Sequence, residues 1–160
     1  MSKHSEKAKS LFHEGYNCAQ AVFAAFCDET GLDFETALRL SSSFGGGMGR
    51  LREVCGAVSG MLMAAGMIFG YSDPKDKAAK AEHYALVQAL AKRFEVENGS
   101  IICRELLGLS VKKESPALEE RTESYYKKRP CADLVACAAE ILDDYLESSH
   151  TVAGKGQEAR

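Results

Sequence analysis

None of the six cysteines is spaced as CxxC. That removes the usual dithiol redox motif and the closely spaced ligand pairs of structural zinc sites. The four histidines (His4, His13, His83, His150) are scattered, with no HExxH and no CxxCH, so covalent c-type haem is excluded. The glycine run Gly45-Gly46-Gly47-Met48-Gly49 lacks the Lys-Ser/Thr ending of a phosphate loop. No apolar–polar alternation of useful length is bounded by turn residues, so no strand is predicted.

Charge and hydropathy are also restrained. Net charge is -3, and the one compact basic run is Lys127-Lys128-Arg129. Nucleic acid is therefore not an expected partner. The N-terminal MSKHSEKAKS is polar and lacks the apolar centre of a secretory signal, which predicts a cytoplasmic protein. In that compartment thiols stay reduced, and cysteines serve redox chemistry, metal binding or packing. The one long uncharged run is Val54 to Tyr71. Gly56, Gly60, Gly66, Gly70 and Ser59 lower its hydrophobicity, so it reads as a buried central helix with no membrane role.

The remaining pattern is helical throughout. Residues 3–29 form a helix, broken at Gly15 or continuous through it. If broken, Asn17 and Gln20 make a capping box and Cys18 opens the restarted helix. Asp33 caps a helix over 34–43. The central helix starts near Arg52 to Val54. A long helix covers 74–97 with Pro74 at its start. A short helix follows over 101–107, residues 110–116 are loop, and 117–128 are helical. The last helix runs from Cys131 to about Glu147, and 148–160 form a polar, mobile tail. The fold class is all-α: a single-domain bundle of about five to six helices over 1–147, around a Gly/Ala-rich central helix.

The cysteines then carry the functional reading. A thiol at a helix start meets unpaired N–H groups and the positive end of the helix dipole, which favour the reactive thiolate. Cys55 follows the glycine loop, opens the central helix and has Arg50 and Arg52 close in sequence. Gly56 and Gly60 keep that helix face bare. Cys131 follows Pro130 and three cations, and Cys103 starts the short helix beside Arg104. Cys27 lies nine residues after Cys18, on the opposite face of one continuous helix. Cys137 sits inside the apolar run Leu134 to Ala138. Both are read as core residues. His13, one turn before Asn17 and Cys18, is read as a surface or capping residue.

These residues make a recognisable set. Tyr16-Asn17-Cys18-Ala19-Gln20-Ala21-Val22, Phe44 to Gly49, Cys55-Gly56-Ala57-Val58-Ser59-Gly60, Cys103 to Gly108, and Cys131 resemble the bacterial and archaeal family called C_GCAxxG_C_C. The chain reads Cys-Gly-Ala where the family label writes Gly-Cys-Ala. The resemblance covers about Gly15 to Tyr145. It implies four family cysteines, Cys18, Cys55, Cys103 and Cys131, and a redox role, with some relatives joined to electron-transfer proteins. It names no substrate.

Three functions follow as expectations. The first is a thiol oxidoreductase, exchanging disulfides or electrons with a redox partner protein or a small thiol and needing no cofactor. Cys55 is taken as the attacking residue, Cys18 as the resolving one, and Cys103 with Cys131 as a second pair. Four cysteines allow three connectivities, so this pairing is an assignment. The second makes the same four thiolates, Cys18, Cys55, Cys103 and Cys131, ligands of zinc or an iron–sulfur cluster. The third is a non-catalytic helical module in which Gly56, Gly60 and Ala64 seat a helix of a second copy, giving a homodimer.

Overall fold

The computed structural model describes residues 1–110 and 113–157, and the side chains of 154–157 lie outside that description. Among the described residues the chain is helical and has no strand beyond one isolated bridge. The helices are α1 (Lys3–His13), α2 (Cys18–Ala25), α3 (Cys27–Thr30), α4 (Phe34–Ser41), α5 (Gly56–Phe69), α6 (Lys77–Asn98), α7 (Cys103–Leu106), α8 (Glu123–Lys128) and α9 (Cys131–Gln157).

Local chemistry accounts for most of the boundaries. The chain breaks after α1 at Gly15, whose φ of +110° favours glycine. It restarts at the capping box, where Asn17 accepts from the Gln20 N–H and Gln20 returns a bond to the Asn17 N–H. Asp33, Asp76 and Thr122 cap α4, α6 and α8, each accepting through its side-chain oxygen the N–H three residues on. Gly31 and Gly99 end α3 and α6 in the left-handed region.

The core forms where α5 meets α2, α6 and α9, with α1 laid across α2 and α9. Its fully buried side chains include Phe23, Phe26, Met61, Phe94, Ile141 and Leu142. Burial of residues of that size stabilises by about 1.5–3 kcal/mol each. Glycine and alanine let α2 and α5 meet closely. A methyl on Gly60 would stand 2.6 Å from the Ala19 carbonyl oxygen.

Several expected boundaries move. Residues 3–29 form three helices, because the first breaks at Gly15 and the second ends at Phe26, a residue with φ -95° and ψ 19°. Pro74 lies in a turn ahead of α6, which Asp76 caps. Residues 117–121 are not helical, and Thr122 starts α8. The last helix continues past Glu147 to Gln157, so the expected mobile tail is helical over 148–157. Residues 158–160, and residues 111 and 112 of the expected loop, lie outside the described residues. The small-residue stripe Gly56-Gly60-Ala64 is already filled by α2, so it offers no seat to a second copy. No helix of the described chain is long and apolar enough to cross a membrane.

Candidate functional site

Cys18, Cys55, Cys103 and Cys131 line one cavity. Cys27 and Cys137 do not. Each of the four stands at a helix start: Cys18, Cys103 and Cys131 are the first residues of α2, α7 and α9, and Cys55 is the N-cap of α5.

Two local devices bring them together. The first is the bridge Val54–Ile102. The Cys55 N–H donates to the Ile101 carbonyl at 2.8 Å, and the Cys103 N–H donates to the Glu53 carbonyl at 2.6 Å. These bonds tie the start of α5 to the start of α7, which sequence places almost fifty residues apart. The second is Gly56. A methyl there would collide with Cys18 Sγ and stand 2.8 Å from the Phe44 carbonyl oxygen. Only a bare α-carbon lets the Cys18 sulfur rest on the residue that follows Cys55.

The glycine loop adds a strained wall. Gly46, Gly47, Met48, Gly49 and Arg50 all have φ between +61° and +69°, one turn of left-handed helix closed by the Gly49 N–H on the Gly45 carbonyl at 2.9 Å. Left-handed turns cost L-residues energy, and Met48, Arg50 and Arg52 (φ 58°) bear that cost here. The turn directs Arg50 and Arg52 to the mouth of the cavity.

Arg52 is almost wholly buried. It donates through Nη1 to Cys103 Sγ at 3.5 Å and through Nε to Glu114 at 2.9 Å. Arg50 donates to Glu114 at 2.9 Å and to the Ser115 carbonyl at 2.7 Å. Both were expected beside Cys55. Arg52 serves Cys103 instead, because the bridge turns its side chain toward α7. Arg129 pairs with Glu119 at 2.8 Å. Arg121 is different. Its Nη1 donates to the Phe12 and Tyr16 carbonyls, each at 2.9 Å, and its guanidinium lies 4.6 Å from the Phe12 ring centre. Among the described residues it has no carboxylate partner.

Electrostatics correct one expectation. Burial pushes the Cys55 thiol well up, and the neighbouring Cys18 adds to that. The N–H groups of Ala57 and Val58, which favour the thiolate as expected at a helix start, do not outweigh it. Cys55 is therefore not a low-pKa nucleophile. Burial likewise raises Cys103 against the pull of Arg52, and raises Cys131 to about 12 against the pull of Arg129 and Arg52. Cys18 is half-buried and is the first residue of a capped eight-residue helix, close enough to each of the other three thiols to add to the raising of their pKa. All six cysteines are free thiols.

The four-thiolate metal reading fits this spacing poorly. A tetrahedral zinc with sulfurs at about 2.3 Å needs them about 3.8 Å apart. Among the described residues no three cysteine sulfurs come within 4.8 Å of one another. Cys137 donates to Glu97 at 3.2 Å and accepts from Asn98 at 3.3 Å between α9 and α6. Cys27 packs against the core from the start of α3. Both stand apart from the cavity, although the helix-face argument for Cys27 assumed a continuity that the chain lacks. The His13 ring lies tilted against Tyr126, centroids 4.8 Å apart, and does not line the cavity.

Sequence reading missed Arg121, Glu114 and Glu119, which belong to no motif. Arg129 stood in a visible basic run, but nothing marked it as the member that turns to the cavity. Sequence reading also passed over His4, whose partners lie 24 and 139 positions away.

A protein of Archaeoglobus fulgidus described only as "Uncharacterized protein" is 26% identical over 160 residues, covering 93% of this chain and 99% of that one. No solved structure matches significantly. Residues 16–145, which hold all four cavity cysteines, match the family described as "Putative redox-active protein (C_GCAxxG_C_C)". The chain belongs to the C_GCAxxG_C_C family.

Proposed function

We propose that this protein is a thiol oxidoreductase whose first active pair is Cys18 and Cys55. One observation carries the reading: the Cys18 sulfur rests on Gly56, next to Cys55, inside a cavity that all four family cysteines line. Their roles are the reverse of the sequence expectation. Cys18, half-buried at the start of α2, attacks. Cys55, 5% exposed and held protonated by burial, resolves. A thiolate on Cys18 attacks one sulfur of an oxidised partner and forms a mixed disulfide. Cys55 then attacks the Cys18 sulfur, the partner leaves as a thiol, and a Cys18–Cys55 disulfide remains. Cys103, beside Arg52, and Cys131 form the reserve pair. A cytoplasmic setting, where a reduced thiol pool regenerates the dithiol, suits this cycle.

The test is disulfide mapping. Reduced protein is treated with one equivalent of diamide, quenched with iodoacetamide and mapped by mass spectrometry. A Cys18–Cys55 bond is expected, and Cys55→Ser treated with a small disulfide in place of diamide should trap the mixed disulfide on Cys18. A first disulfide that omits Cys18 overturns the assignment.

A further inference from the structure

The charges around the cavity go beyond the redox step, because they specify what approaches it. The inner space is about 60 Å³, room for a few water molecules. It shares Asn17, Gly46, Arg52, Arg121 and Tyr125 with a wider cleft of about 620 Å³ between the left-handed turn and the segment from Pro116 to Arg121. These sizes would admit a slender end to the sulfurs and keep a larger body in the cleft. Four guanidinium groups surround this path: Arg50, Arg52, Arg121 and Arg129. Two carboxylates answer them, Glu114 on Arg50 and Arg52, and Glu119 on Arg129 and Arg50. The cavity thiols are no counter-charge while protonated. The path therefore holds an excess of positive charge, centred on Arg121, which has no acidic partner among the described residues.

The geometry points to a carboxylate-bearing, low-molecular-mass disulfide as the substrate, its carboxylate held in the cleft near Arg121 and its sulfurs presented to Cys18. This rests on the thiol–disulfide reading above. The Cys18 thiolate attacks one sulfur of R–S–S–R. That S–S bond breaks, Cys18–S–S–R forms, and R–S⁻ leaves. Cys55 attacks the Cys18 sulfur and releases the second R–S⁻. The two protons lost by Cys18 and Cys55 go to the two leaving thiolates. The disulfide gains two electrons, and the protein dithiol loses two.

Three disulfides with the same two-methylene spacer test the charge: 3,3′-dithiodipropionate (anionic), 2-hydroxyethyl disulfide (neutral) and cystamine (cationic). Each is reacted with reduced full-length protein at low salt, and each rate is divided by that of a small neutral thiol in solution. The normalised order should be anion, neutral, cation, with about tenfold between the first two, as for a charge-steered encounter. Arg121→Gln should reduce the ratio and Glu119→Gln should raise it, while 0.5 M salt should flatten it. If Arg121→Gln fails to fold, the Glu119→Gln and salt arms still decide. Equal or reversed normalised rates overturn the inference, as does an anion preference that neither salt nor Glu119→Gln alters. A Cys18–Cys55 bond formed with diamide alongside equal rates sinks only the substrate class. No reaction with any of the three disulfides, together with no such bond, sinks the thiol–disulfide reading itself.

Discussion

The two ends of α2 and α3 handle buried polar groups in opposite ways. At the far end, His4 is 5% exposed, yet its ring is fully matched. Nδ1 lies 2.5 Å from an Asp143 carboxylate oxygen, Nε2 lies 2.9 Å from Asp28, and Phe26 stacks on the ring at 4.2 Å. Lys3 completes the set on Asp28 at 2.6 Å. At the cavity end, four thiols share a space in which guanidinium groups outnumber carboxylates, and the adjoining turn is left-handed. Matched hydrogen bonds weld α1 to α3 and α9. Unmatched charge and backbone strain, held in place by the surrounding helices, lie at the end where we place the redox site.

The largest effect should come from breaking the matched end. His4→Ala takes the imidazole from the buried Asp143 carboxylate and leaves it the backbone N–H of residue 4; removing one partner of a buried pair costs up to about 3–5 kcal/mol. Urea unfolding should show that loss, while the Cys18 reaction with a small disulfide in the remaining folded protein stays within about twofold of wild type. A large change in thiol rate would mean that the two ends are coupled.

Gly56→Ala should act in the reverse sense. The added methyl meets Cys18 Sγ and the Phe44 carbonyl, so overpacking costs about 1–3 kcal/mol. The Cys18 sulfur must also move, and Cys18–Cys55 bond formation should slow more than stability alone requires. Equal losses in His4→Ala and Gly56→Ala, with thiol kinetics unchanged in both, would erase the contrast. A smaller step is Asn17→Ala, which removes the cap of α2 for about 1 kcal/mol. Because Cys18 is the first residue of that helix, its alkylation rate should change along with stability.

The two ends were unequally legible in sequence. The Asn17–Gln20 box, Gly31 and Gly99 act within four residues of themselves, so local pattern offered the restart at Cys18 as one of two readings and placed the stops at Gly31 and Gly99. The four family cysteines were recognisable as a set by their motifs. Their convergence was not, because it rests on a bridge one residue long, Val54 with Ile102, too short to leave an alternating pattern. The pKa direction of Cys55 was misjudged for a related reason. Helix position is local and visible, whereas desolvation depends on what packs over the sulfur. His4 shows the same limit, since its meaning lies in Asp28 and Asp143, distant in the chain.

The smallest effects near neutrality come from pH, and they separate the ends by sign. Although burial would raise it, Asp28 is held down to about 2 by hydrogen bonds from Lys3 and His4. A carboxylate with a lowered folded pKa contributes stability above its ordinary 3.8, lost as pH falls through the folded value. The acid loss should lie between about pH 4 and 2 and be modest, because Asp28 is 39% exposed on its side chain. Cys131 runs the other way. Its pKa is raised from 9.0 to about 12, so its contribution is whole below pH 9 and is lost as pH climbs toward 12. Unfolding midpoints measured from pH 2 to 11 should therefore be flat through neutrality and fall at both limits. Cys131→Ala should make the alkaline limb shallower without abolishing it, since Cys55, Cys103 and Cys137 are also raised, and should leave the acid limb unchanged; Asp28→Asn should do the converse. If Cys131→Ala leaves the alkaline limb as steep as before, burial of that thiol is not what resists ionisation at the cavity end.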